Sequence, residues 1–126
     1  MHRSRMYAII IDVPEAESAA ATAFWSGAFG TETCRSPEEP QFTALPGAVP
    51  GITTAIQAVG DQGRYHIDIE TDDVQAEVER LCALGAREVS TWLECHVLQA
   101  SGGHLLCVIP VHSDRQTFET QARAWP

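Results

Sequence analysis

Basic residues are scarce: eight arginines and lysines stand against seventeen acidic residues, for a net charge of −9. Nucleic acids and anionic lipid surfaces are held by clustered cations. No basic stripe exists here, and three of the cations, Arg3, Arg5 and Arg35, lie in the first third of the chain. Neither a nucleic-acid partner nor a membrane partner is expected. Long apolar runs are also missing. The stretch from Met6 to Ile11 is ended by Asp12, too short for the apolar region of a signal peptide. Nothing approaches the roughly 20 apolar residues of a membrane helix. The four cysteines, Cys34, Cys82, Cys95 and Cys107, contain no Cys-x-x-Cys pair, so they form neither a zinc knuckle nor a disulfide framework. Reduced thiols in a cytoplasmic protein are the expectation.

What is present is an ordinary globular mixture, 44% hydrophobic and 20% charged over 126 residues. That suits one domain, or two small halves sharing a core. Tyr7 to Val13 is a β-branched run closed by Pro14 and reads as a buried strand. Glu15 to Phe29 reads as a helix, with Glu15 and Glu17 favouring its positive end and Gly30 as its stop. Phe24 and Trp25 on it are expected in the core. Short strands fit Thr31 to Ser36, Gln41 to Leu45 and Ile52 to Val59, separated by proline and glycine. Arg64 to Glu70 alternates like a half-buried strand. Thr71-Asp72-Asp73 caps a second helix, in which Val74, Val78, Leu81 and Cys82 form the apolar stripe while Glu77, Glu79 and Arg80 face water. Leu84-Gly85 ends it. Strands at Ala86 to Trp92, Glu94 to Gln99 and His104 to Pro110 follow, with Gly102-Gly103 as the last turn. Asp114 to Ala124 fits a short helix.

The order is strand, helix, three strands, twice over. YAIIID at Tyr7 matches YHIDIE at Tyr65, and Ile56 to Val59 matches Leu106 to Ile109. The expected fold is therefore α+β: a single domain of two tandem βαβββ modules, roughly 6–60 and 64–111, with a tail from 112 to 126. The modules pack into a curved, half-open mixed sheet around a cavity. Side chains alternate along a strand. Tyr65, Ile67 and Ile69 then meet the helix, while His66, Asp68 and Glu70 share the opposite face. By the repeat, Ala8, Ile10 and Asp12 occupy the matching face of the first strand. Ala8, Gln57, His66 and Cys107 become equivalent positions around the cavity.

Here a resemblance becomes specific. HIDIETDDVQAEVERLCALGA resembles the start of the second module in glyoxalase-like proteins of the glyoxalase/bleomycin-resistance/dioxygenase (vicinal oxygen chelate) superfamily. AFWSGAFG resembles their first-module helix end, and ASGGHLLCVIP their closing turn and strand. The resemblance spans Tyr7 to Pro110. It implies a divalent metal such as zinc, nickel, iron or manganese, held by His or Gln and Glu on the first module and by His and Glu on the second. In this sequence those positions fall at Ala8, Gln57, His66 and Cys107. Ala8 has no donor atom, Cys107 stands where Glu is usual, and Ala100-Ser101 replaces the Asp-Pro of the closing turn. These departures put metal-dependent lyase, isomerase and dioxygenase chemistry in question.

His66 is the leading catalytic candidate, as acid/base or ligand, against the plainer reading of a hydrogen-bonded strand histidine. Cys107 is either a thiolate ligand or a small buried hydrophobe. Gln57 suits a hydrogen bond to a substrate as well as a weak metal contact. Asp68, Phe42, Trp92 and Cys95 are candidate substrate contacts, and an aromatic there suits a flat ligand. His96 and His104 are spaced for a hairpin metal pair, and solvated loop histidines are the alternative. Three functions stay open: a lyase- or isomerase-type enzyme on a small oxygenated metabolite, a drug-sequestering binder of the bleomycin-resistance kind, or a partner domain with a vestigial pocket. The resemblance also implies a homodimer.

Overall fold

The computed structural model describes residues 1–60 and 62–126. Strand β1 runs His2–Pro14, a 3-10 turn takes Glu15–Glu17, and helix α1 spans Ser18–Phe29. Strands β2 (Cys34–Arg35), β3 (Phe42–Ala44) and β4 (Thr53–Val59) complete the first repeat. The second repeat is β5 (Arg64–Thr71), α2 (Val74–Ala83), β6 (Arg87–Trp92), β7 (Cys95–Gln99) and β8 (Leu105–Pro110). Helix α3 (Arg115–Gln121) and β9 (Arg123–Trp125) follow. The fold is α+β with the βαβββ order twice, as the sequence implies. The chain forms two compact units, a first of Ala8–His66 and a second of Met1–Tyr7 with Ile67–Pro126.

In the first unit β4 lies parallel to β1, from Ala8 opposite Thr53 to Pro14 opposite Val59. β3 runs antiparallel to β4, and β2 antiparallel to β3. Ile11, Val13, Leu45 and Ile56 form the core, packed against Ala21 and Trp25 of α1. β-Branched side chains suit this pleated, covered face. Gly30 ends α1 at φ +64, and the Thr31 N–H returns to the Ser26 carbonyl at 3.2 Å. That 6→1 bond needs a left-handed residue, which glycine adopts without a Cβ clash. The core expectation fails for Phe24, which is 64% exposed. Trp25 alone of that pair reaches the sheet, and Phe24 meets it edge-on at 5.1 Å between ring centroids. Tyr65 also misses the core and lies against the edge of Trp25 at 6.4 Å.

In the second unit β5 and β8 are parallel, β7 and β6 continue antiparallel, and a bulge lies between Glu88 and Ser90. Leu98, Val108, Ile109 and Phe118 are its buried apolar residues. Ile67, expected under the helix, is exposed. Asp73 caps α2 by accepting from the Ala76 N–H at 3.0 Å. Asp72, its expected co-cap, instead accepts from the Arg3 N–H at 2.7 Å. The reason is that β1 begins at His2, well before Tyr7. Its first residues pair with β9, His2 opposite Trp125. The tail expected as one helix therefore splits into α3 and a strand.

Two glutamates read from the sequence as outward or ligand-facing are fully buried. Glu77 takes His2 Nε2 at 2.7 Å and both Arg80 Nε and a terminal Arg80 nitrogen, at 2.8 and 2.9 Å. The Arg80 guanidinium in turn lies 3.8 Å over the Trp125 ring, a cation–π contact. Burial alone would raise the Glu77 carboxyl. Hydrogen bonds from Arg80, His2 and Ser4, with the Arg80 charge, outweigh it and hold the pKa at about 2 instead of 4.5. Glu70 accepts the His112 and Ser113 N–H groups at 2.8 and 2.9 Å and the Ser113 hydroxyl at 2.6 Å, and faces Arg5 Nε at 2.9 Å. A charge on an amphipathic helix or alternating strand reads as solvated. These two are buried because strand β1 brings His2 and Arg5 to them.

Candidate functional site

The face of β1 opposite α1 carries Ala8, Ile10 and Asp12, all buried. Asp12 is in register with Gln57 on β4, and Gln57 with Phe42 on β3. Paired residues share a face, so Asp12, Gln57 and Phe42 form one row across three strands. His66 reaches this row from β5. Its Nδ1 lies 2.6 Å from Asp12 Oδ2, with 12% of the His66 side chain and 3% of Asp12 exposed. Arg64 Nε stands 3.8 Å from the same oxygen. An ionised carboxylate only accepts, so Nδ1 is the donor in this contact.

Ala8 and Gln57, both expected around the cavity, do not lie opposite each other: Ala8 is opposite Thr53, and Gln57 is opposite Asp12. Likewise the residue in register with Cys107 is Asp68 rather than His66. An even offset along a strand keeps every side chain on its face, so the faces were legible while the rows were not. Asp12 was placed on this face without a role. The signal for one was present: a carboxylate inside the β-branched run YAIIID has no water to face.

In the second unit Asp68, Cys107 and Val97 make the corresponding row. An Asp68 carboxylate oxygen and Cys107 Sγ lie within 4.8 Å of each other. Along β5, His66 precedes Asp68 by two residues on the same side. Cys95 lies opposite Trp92 where β6 and β7 meet, and Trp92 is 55% exposed. The proposed histidine pair does not form: His96 Nδ1 bonds Glu88 Oε2 at 2.6 Å, while His104 is exposed near the glycine turn. A groove of about 390 Å³, also in this unit, is lined by Met1, His2, Asp73, Ala76, Glu79, Arg80 and Pro126, and includes none of the expected site residues.

The donor set of the first unit does not complete the metal site that the family resemblance implies. Ala8 offers no donor and is wholly buried, and Asp12 is committed to His66. The arrangement can instead hold an imidazole by its Nδ1, with an amide side chain in the row of the carboxylate that holds it.

The profile described as Glyoxalase-like domain matches residues 8–109. No curated protein sequence matches the chain. Among solved structures, an NAD-dependent benzaldehyde dehydrogenase from Legionella pneumophila superposes with TM-score 0.58 at 10% identity, over 82% of this chain and 99% of that one. A xylose isomerase-like TIM barrel/4-hydroxyphenylpyruvate dioxygenase fusion protein gives 0.58 at 16% identity, over 94% of this chain and only 22% of that larger chain. Methylmalonyl-CoA epimerase from Mycobacterium tuberculosis gives 0.51 at 14% identity, over 85% of this chain and 88% of that one. At these identities the likeness is one of fold. No helix among the described residues is long and apolar enough to cross a membrane.

Proposed function

The chain belongs to the glyoxalase-like domain family, and from that premise we propose that it is an enzyme acting on a small oxygenated metabolite, with His66 as its acid–base group. The observation that carries this reading is the 2.6 Å hydrogen bond from His66 Nδ1 to the buried Asp12 carboxylate. An imidazole held at one nitrogen presents the other in a fixed direction, which a general base requires. Its counter-charge is already in place when it takes a proton. Gln57, in the same row, orients the metabolite through its amide, and Phe42 supplies an apolar edge. Proton transfer of this kind asks for no donor at Ala8. The reading also includes a homodimer in the cytoplasm, and a monomer by light scattering would remove the dimer from it.

The test is proton exchange. A panel of small 2-hydroxy ketones and 2-oxo acids in deuterated water is followed by NMR with metal-analysed wild type and His66→Ala. Exchange that wild type accelerates and His66→Ala slows by roughly 10²-fold or more is the expected result. Equal exchange by both proteins would sink the role of His66. Stoichiometric metal in wild type that is lost in His66→Ala would turn His66 from a base into a ligand.

A second reading, a non-catalytic binder, is favoured by Ala8 standing where the family places a ligand. It predicts no exchange from any member of the panel, together with thermal stabilisation by a cationic drug.

A further inference from the structure

A surface helix turns its apolar residues inward and its charges to water. Helix α1 departs from that rule. It carries no charged residue and none of its residues is buried, whereas α2 carries Glu77, Glu79 and Arg80 and α3 carries Arg115 and Glu119. Its hydroxyl residues Ser18, Thr22 and Ser26 are the half-covered ones, while Ala20, Ala23, Phe24 and Gly27 are exposed. These four stand at i, i+3, i+4 and i+7 and so share one face, away from Ala21 and Trp25, which pack on the core. Three of them are small, and the Phe24 ring, 64% exposed, rises beside them. A Cβ at Gly27 would meet nothing within 4 Å. Nothing in this chain therefore asks for glycine there, inside a helix where alanine is the better former. Phe29 and Tyr65, also exposed, lie against Trp25 and extend the patch. Single apolar residues on a surface are ordinary, but a contiguous uncharged patch marks an interface.

We infer that this face of α1 is the surface through which two copies of the chain pair, the Phe24 ring of each entering the hollow at Ala20, Ala23 and Gly27 of the other. Four residues at i, i+3, i+4 and i+7 outline the hole that a side chain of a facing helix fills. One set of residues thus supplies both knob and hole, as an interface about a twofold axis requires. Charge selects a second copy as the occupant. At a net −9, two copies repel wherever their acidic surfaces meet, so they approach most easily at an uncharged face. A partner that recognised this acidic chain by charge would be basic, and its hold would lie on the carboxylates rather than on this helix. Size sets the strength. A helix of 12 residues is about 18 Å long and about 10 Å across, so its face is smaller than the roughly 800 Å² per partner of a standard interface. The pair is therefore a dimer in exchange with monomer. This names the surface of the homodimer proposed above and rests on that dimer, but not on the role of His66.

The test is sedimentation velocity of the full chain from about 1 μM to about 1 mM, the range of weak association, with wild type, Phe24→Glu and Gly27→Arg. Wild type is expected to shift from monomer to dimer across the series, and to do so at lower concentration as salt screens the repulsion. Each variant should associate roughly tenfold or more weakly. Gly27→Arg fills the hollow without a clash inside its own chain, so its thermal midpoint should equal or exceed that of wild type. Amide hydrogen exchange of wild type at the two ends of the series supplies a reading that needs no variant: protection should rise with concentration in α1. A dimer unchanged in a folded variant, or protection that rises elsewhere and not in α1, overturns the inference while the homodimer stands. A wild type that stays monomeric throughout removes the homodimer and the surface together. Equal proton exchange by wild type and His66→Ala removes the acid–base reading and leaves this surface untouched.

Discussion

Replacing Glu77 with Gln removes one negative charge from a place that water does not reach. The neutral amide keeps the shape of the side chain but strands the Arg80 guanidinium, and His2 loses its anionic acceptor. The size follows from linkage. The Glu77 carboxyl is lowered from 4.5 to about 2 in the fold. At 1.36 kcal/mol per pKa unit this corresponds to about 3 kcal/mol of stability. A depressed carboxylate contributes that stability in full above its unfolded value, and loses it as pH falls through the folded value. Chemical denaturation of wild type and Glu77→Gln near neutral pH should therefore differ by about 3 kcal/mol, within the range for breaking a buried ion pair. That gap should narrow steadily below about pH 4.5 and be nearly closed around pH 2. Hydrogen exchange of the backbone from His2 to Arg5 should rise in the variant at neutral pH. A gap under about 0.5 kcal/mol at neutral pH, or one that does not change on acidification, would refute the assignment of Glu77 as a charged, buried anchor.

Leu93 sits in the turn between β6 and β7 at φ +54, and its side chain is 81% exposed. Leu93→Gly should raise stability by roughly 0.5–1 kcal/mol by thermal or denaturant unfolding, because a left-handed turn position suits glycine and little packing is lost. Asp73→Ala removes the acceptor for the Ala76 N–H. It should cost about 1 kcal/mol in the same assay, whereas Asp73→Ser should cost much less.

Much of the architecture was written in local signals. The strand at RYHIDIE, the glycines at 30, 102 and 103, and the Asp73 cap each depend on neighbours within a few residues, and each appears where the pattern puts it. What escaped depended on long-range partners. Glu77 looks solvated until His2, separated from it by 75 positions, is brought alongside. Glu70 looks like a ligand-facing strand residue until the chain after β8 turns its N–H groups upon it. Of the site, His66 and Gln57 were legible by their faces, and the structure brings Phe42 into the Gln57 row. Asp12 was legible in principle, as a lone acid in an apolar run. Its link to His66 was not, because alternation gives the side of a sheet and says nothing of which residue lies opposite.

Strand β1 serves both units: its first residues belong with the second repeat and the remainder with the first. The repeats are thus not interchangeable cassettes. A gene fragment encoding only the second repeat would inherit Glu70 and Glu77 as buried acids without Arg5 and His2, which meet them from β1. Any ancestral single-repeat form of this chain must have satisfied those two positions in another way, with a second chain lending its leading strand or with uncharged residues in their place.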